Sequence, residues 1–388
     1  MYRIAVGCSL VCRMISCAHR PPCPGCPRFG EHGIAPGAHS SLDELAHAHG
    51  LSAIQVDSGT TEGFRLRARL AIRGRVGSAK VGLFEAGTHR VVHVPSCRVH
   101  HPLINRVAAV VRRALVDTRL TCYSDAAHAG LARYLQVAVE RSSQTAQVVL
   151  VANCASPEPV AACLNLIRDQ LGGELHSLWF NSNCERSNTI LGPEFQKWYG
   201  RTSVIENFGG ADVHYPPGAF GQNNLDIAQL IIGYVRDEIP DGARVAEFYA
   251  GVGAIGLSIL AKVSEIRMNE SSPQSLHGLE LGLAQLKAAD RAKILVVPGP
   301  ASNSRTVASE MQVVIVDPPR KGLDPEVTQS LIDQRPERLM YVSCGLKSFL
   351  RDAAQLTQRG KLRLNALRAF NLLPFTDHVE TVARFERA

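Results

Sequence analysis

Cys344 lies in the run Tyr341-Val342-Ser343-Cys344-Gly345, Asp317 follows Val313-Val314-Ile315-Val316 and precedes Pro318-Pro319-Arg320-Lys321, and Glu380 follows Asp377-His378-Val379. The apolar runs before Cys344 and Asp317 and the stretch after Glu380 all have strand length, so an α/β sheet would gather the three side chains near its strand ends. There a cysteine is a nucleophile once ionised, and a carboxylate beside it can take a proton from a substrate carbon. Leu346–Gln358 has helical spacing and starts just after Cys344; its dipole is expected to lower the thiol pKa. Alone, such a cysteine is usually inert core and such a glutamate a solvated edge residue, so the reading rests on their company. His378 either supports Glu380 or belongs to a turn.

A cofactor site is expected on an earlier strand. Glu247-Phe248-Tyr249-Ala250-Gly251-Val252-Gly253-Ala254-Ile255-Gly256 runs from a strand through glycines into a helix, which lets the backbone approach a nucleotide closely. Glu270 ends the next strand, where its carboxylate can accept both hydroxyls of a ribose. The G-x-G-x-x-G spacing also fits a dinucleotide. Asp317-Pro318-Pro319 on a later strand, stiffened by its prolines, points instead to methyl transfer.

The N-terminal region has different chemistry. Cys17, Cys23 and Cys26 stand among Pro, Gly and His without a hydrophobic period, so cross-links or a metal must hold the segment. The chain has eleven cysteines but no convincing secretory signal, since Arg13 interrupts the apolar stretch after Arg3. Metal binding or catalysis is therefore expected before disulfides, and the spacing leaves iron–sulfur and zinc both open.

The elements that must position these groups follow from size and periodicity. The 388 residues, 45% hydrophobic, suffice for two or three cores, and no run approaches the length of a membrane span. We read residues 1–45 as a cysteine-rich segment, 46–215 as a central α+β region and 216–388 as a doubly wound, mostly parallel α/β domain. In the last, strands near 244–248, 265–269, 294–297, 313–316 and 339–343 alternate with helices, before two late strands at 362–370 and 379–385. The net charge of +7 is modest, but between Arg65 and Arg113 Glu85 is the only acid. Arg65, Arg67 and Arg69 alternate with apolar residues and so share one strand face, which suits a phosphate backbone or simply a solvated surface.

The series resembles the S-adenosylmethionine-dependent RNA uracil-5-methyltransferase family. The likeness spans Cys17-x5-Cys23-x2-Cys26 with Cys97, Gly218-Ala219-Phe220-Gly221-Gln222-Asn223-Asn224, the glycine-rich turn, Asp317-Pro318-Pro319-Arg320, Ser343-Cys344, Leu350-Arg351-Asp352 and Pro374-Phe375-Thr376-Asp377-His378-Val379-Glu380. It implies a Rossmann-like class I methyltransferase domain, Cys344 as nucleophile and Glu380 as base. It implies S-adenosylmethionine or uracil contacts at Gln222, Tyr249, Gly251, Gly253, Glu270 and Asp317, and a 4Fe-4S cluster, with zinc as the alternative, at Cys17, Cys23, Cys26 and Cys97. The implied substrate is RNA, ribosomal first and transfer RNA second; without a convincing secretory signal the protein is expected in the cytoplasm, as a monomer.

The chemistry is consistent with that assignment. Carbon 5 of uracil is too weak a nucleophile to take a methyl group until a thiolate adds at carbon 6 and makes an enolate. Gly345-Leu346 stands where the family usually has Asn-Pro, Ala250 replaces a frequent cysteine, and Pro298–Ser304 lacks an acid. The missing N-terminal barrel suggests the shorter members that act on 23S ribosomal RNA, or else substrate contacts moved to the basic central region. A metal-bearing RNA-binding protein with an impaired site is the alternative of a different class.

Overall fold

The computed structural model describes residues 16–303 and 306–388; Cys8 and Cys12, to which the sequence assigns no role, lie outside them. Helix α1 (Pro36–Ala48) and strand β1 (Gln55–Ser58) precede the central sheet. That sheet is formed by β2 (Arg67–Arg75), β3 (Ser78–Phe84), β4 (Val91–His93), β5 (Ala132–Glu140), β6 (Thr145–Ala152), β7 (Leu175–Ser182) and β8 (Glu194–Gly200), in the spatial order β4-β3-β2-β5-β6-β7-β8. Neighbours are antiparallel except β6 and β7, whose parallel pairing requires a crossover, supplied by α3 (Ala161–Leu171). Helix α2 (Pro102–Asp117) starts on Pro102, with the His101 side chain accepting from the Leu103 N–H, and buries Leu103, Val107, Val110, Val111 and Ala114 at helical spacing.

A hairpin of β9 (Val204–Phe208) and β10 (Ala211–Tyr215) leads into the second sheet. Its strands are β11 (Ala243–Phe248), β12 (Val263–Glu270), β13 (Ile294–Pro298), β14 (Val313–Val316), β15 (Arg338–Ser343), β16 (Leu362–Asn371) and β17 (Glu380–Arg387), in the order β1-β16-β17-β15-β14-β11-β12-β13. Helices α4 (Leu225–Asp237), α5 (Ala254–Ser258), α6 (Pro273–Leu283), α7 (Ala288–Arg291), α8 (Pro325–Gln334) and α9 (Leu346–Gln358) connect its strands or flank it. All pairings are parallel except those of β17 with β15 and β16. This is the expected doubly wound arrangement. Because β17 runs backwards, its first residue lies at the edge where β14 and β15 end.

Residues 36–58, divided by periodicity between the cysteine-rich segment and the central region, pack on this second sheet. Helix α1 buries Ala38, Leu42 and Ala46 in the same core as Phe349 and Phe385. Strand β1 then pairs parallel with β16, where Arg368 holds the Asp57 carboxylate by two bonds of 2.5 and 2.9 Å. No helix among the described residues is long and apolar enough to cross a membrane.

Candidate active site

The register of β15 and β17 pairs Ser343 with Thr381, so the next residue on each strand, Cys344 and Glu380, meets the other at the edge. Asp317 follows β14 directly, and Val316 pairs with Tyr341 on the neighbouring strand. Glu380 is 6% exposed, while Cys344 and Asp317 are partly buried. Burial raises all three, and Asp317 adds to the rise of the other two. Burial, then Asp317, lifts Glu380 to about 8 against the opposing pull of Arg320; burial lifts Asp317 to about 7.

The thiol corrects one expectation. Burial, then Glu380 and Asp317, push Cys344 up to about 11, with Arg320 and a backbone hydrogen bond acting the other way. Removal from water and two carboxylates outweigh the dipole of α9, which begins two residues farther on. Arg320 is thus a functional candidate to which sequence reasoning gave no role, although it stands inside the Asp-Pro-Pro-Arg motif.

Gly345 is explained by packing. A β-carbon there would lie 2.7 Å from the Arg320 carbonyl oxygen and 2.6 Å from Ser348 Oγ. The Ser348 hydroxyl lies 2.8 Å from both the Arg320 and the Gly345 carbonyl oxygens, joining the Asp317 loop to the turn after the cysteine. Buried Asp352 adds a second tie, accepting from the Leu323 N–H at 2.9 Å and the Tyr341 hydroxyl at 2.8 Å. Ser348 has no spacing signal of its own, and Asp352, already part of the Leu350-Arg351-Asp352 stretch, shows its part only when α9 is seen against the loop.

On the cofactor side, Tyr249, Gly251 and Gly253 all have positive φ, 60°, 59° and 86°. For tyrosine this is a sparsely populated conformation that the surroundings must hold, and its hydroxyl is anchored on Asp324, donating to the carboxylate and accepting from the backbone N–H, each at 3.2 Å. Glu270 accepts from the Gly251, Ser271 and Ser272 N–H groups at 2.7, 2.8 and 2.6 Å, so it braces the glycine turn against the start of α6. Gln222 lies in the loop before α4, its carbonyl accepting from Arg67 Nη1 at 2.8 Å. The Asn224 side chain, capping α4, donates to the Leu372 carbonyl at 3.2 Å and ties this loop to the turn that leads to Glu380.

Cys17, Cys23, Cys26 and Cys97 are free, half-buried thiols, the other three near enough to Cys26 to act on its charge. Burial, then Cys97 and Cys23, raise Cys26 to about 11; Arg65 lowers it, and Cys17 adds a smaller upward push. Cys97 is fixed by Asn105, which accepts from its N–H at 3.2 Å and donates to its carbonyl at 3.0 Å. Arg65 Nε is buried without a hydrogen-bond partner. An all-thiol donor set beside an orphaned guanidinium fits a group of net negative charge. Among the described residues no three His, Cys, Asp or Glu side chains are arranged to hold a single metal ion.

Arg65, Arg67 and Arg69 share a face, as expected, and line a cavity of about 260 Å³ with Tyr215 and Phe220 and no acidic residue. Arg67 Cζ sits 4.2 Å from the Tyr215 ring centre, and Phe220 is 65% exposed at the rim. Other members of the basic run are paired internally: Arg73 is bidentate to Asp125, Arg90 meets Glu85, Arg98 meets Glu62 and Arg106 meets Glu174.

Residues 305–388 match the family model described as tRNA (Uracil-5-)-methyltransferase. An uncharacterized RNA methyltransferase of Protochlamydia amoebophila is 34% identical over 96% of this chain and 98% of its own length. One of Leptospira interrogans is 24% identical over the same shares. In structure, the chain resembles the Pyrococcus abyssi tRNA (uracil-54, C5)-methyltransferase in complex with S-adenosyl-L-homocysteine, with a TM-score of 0.75 and 20% identity over 94% of this chain and 86% of that one.

Proposed function

Since the chain belongs to the RNA uracil-5-methyltransferase family and is an S-adenosylmethionine-dependent enzyme of it, we propose that it methylates carbon 5 of a uridine in 23S ribosomal RNA through a covalent adduct on Cys344. What supports this reading is the pairing of Ser343 with Thr381, which sets the thiol beside Glu380 at the edge where Asp317 also ends. A tRNA uridine is the second reading, favoured by the family description and by the specificity of the Pyrococcus relative.

The Cys344 thiolate adds to carbon 6, and the electron pair moved through the ring makes carbon 5 an enolate carbon. S-Adenosylmethionine supplies the electrophilic methyl group, bound by Gln222, Tyr249, Gly251, Gly253, Glu270 and Asp317, which share its contacts with those to uracil. Glu380 then takes the proton from carbon 5. The electrons of that C–H bond restore the double bond and expel Cys344. To reach the site, the target base leaves its stack, and exposed Phe220 is suited to occupy the vacated place. The arginine face of the central region, 46–215, takes the RNA backbone; residues 216–388, with 36–58 docked on them, carry methyl transfer. The protein works as a monomer in the cytoplasm. Cys17, Cys23, Cys26 and Cys97 would hold a 4Fe-4S cluster, which supplies a covalent bridge between the N-terminal segment and the turn before α2.

The test is incubation of unmodified ribosomal and transfer RNA with protein and S-adenosylmethionine, followed by mass-spectrometric mapping of 5-methyluridine. Cys344→Ala is expected to abolish product, and Glu380→Gln to leave protein joined to RNA. Product on tRNA alone selects the second reading. Binding of S-adenosylmethionine and RNA with no product on either RNA points to an impaired catalytic site. Visible absorption and iron analysis after anaerobic purification separate a cluster from zinc.

A further inference from the structure

The turn between β16 and β17 delivers Glu380, and its backbone is held by a residue of the cysteine-rich segment. Arg28, 9% exposed, donates its backbone N–H to the Phe375 carbonyl at 3.0 Å and its Nη1 to the Thr376 carbonyl at 3.3 Å. Its Nε lies 3.9 Å from the Asp377 carboxylate, and its Nη2 reaches back to the Ile34 carbonyl at 3.3 Å. The next residue, Phe29, packs against Phe375 with ring centres 4.9 Å apart and the ring planes tilted by 51°. Phe375 is 1% exposed and has φ of 67°, a backbone conformation that a non-glycine residue keeps only where its surroundings over-determine it.

We propose that Arg28 is a positioning residue for Glu380: with Phe29 it holds the turn Phe375–Asp377 so that the carboxylate stands where the carbon-5 proton must be removed. The proposal rests on the reading of Glu380 as the base. The affected step is the last one, in which the carboxylate takes the proton, the C–H electrons form the carbon 5–carbon 6 double bond, and the carbon–sulfur bond to Cys344 breaks. Addition of Cys344 and transfer of the methyl group precede that step and do not call on Glu380. Loosening the turn should therefore stall the reaction after methyl transfer. Because Arg28 is two residues beyond Cys26, whatever fixes the four thiols also steadies the turn.

The experiment uses full-length protein, purified anaerobically, with ribosomal or transfer RNA, whichever the wild type methylates, carrying tritium at carbon 5 of uridine, and S-adenosylmethionine labelled in its methyl group. Arg28→Met is expected to slow tritium release about tenfold or more, the scale of a misplaced catalytic group. Methyl-labelled protein–RNA adduct should accumulate on denaturing gels, with S-adenosylmethionine affinity unchanged within about twofold. Arg28→Lys should recover part of the release. If Arg28→Met does not fold, by circular dichroism and melting, Phe29→Leu decides: it leaves the guanidinium in place and should shift the same two readouts, by less. Wild-type release in the folded variant, or an equal fall in adduct formation and release, overturns the proposal. Glu380→Gln is the control: if it fails to trap adduct, the assignment of the base falls, and this inference with it.

Discussion

At Cys344 the protein surrounds the proposed nucleophile with groups that favour its protonated form. Burial, then Glu380 and Asp317, hold the thiol near 11, burial and Asp317 hold Glu380 near 8, and Arg320 is the cation that opposes both shifts. The attacking thiol must be deprotonated to add to the ring, whereas Glu380 acts only after methyl transfer, so kcat/KM, which reports groups of the free enzyme up to the first irreversible step, should rise steadily with the thiol between pH 6.5 and 9. Replacing Arg320 by Met removes the opposing charge, and the rise should move to higher pH. A profile already flat at pH 7 would contradict this picture of the site. The sulfonium of S-adenosylmethionine is itself a cation, and in the proposed site it would favour the charged forms of these acids.

At the level of elements, the site is two loops and a helix start locked together. Gly345 lets the backbone of the Asp317 loop come within contact of the turn after Cys344, and Ser348 and Asp352 of α9 fasten it. Gly345→Ala should therefore cost about 1–3 kcal/mol, as overpacking does where the neighbour is backbone, measured by denaturant melts. It should also slow adduct formation, because the added methyl separates Cys344 from Arg320. The departure from the usual Asn-Pro is thus compatible with an ordered site and carries its own packing logic. An unchanged melt and rate for Gly345→Ala would show that the loop can yield without cost.

Across the whole molecule, the two sheets divide the work. The central sheet turns its arginine face toward the loop that contains Gln222, and the second sheet aligns the reacting side chains. Arg69, exposed and bonded through Nε to Gln136, can be replaced without opening the core. Arg69→Gln should weaken RNA binding and reduce the slope of log K against log salt by about 0.7–0.9, the value of one phosphate contact, while kcat stays within about twofold. Periodicity alone determined the strand–helix rhythm from β11 to β17 and the strand-end positions of Asp317, Cys344 and Glu380, because each of those elements carries its own apolar period and each motif sits at its end. It did not reveal β5, whose every residue is buried: Arg133 and Glu140 interrupt the pattern but find partners inside, Arg133 on Asn183 and Glu140 on Ile205. Nor did it show where α1 and β1 dock, how the Arg28 segment grips the turn before Glu380, or that the thiol is held protonated. Those are long-range matters, set by which surfaces meet, by the reversed direction of β17 and by how much water the meeting excludes, and only the tertiary structure decides them.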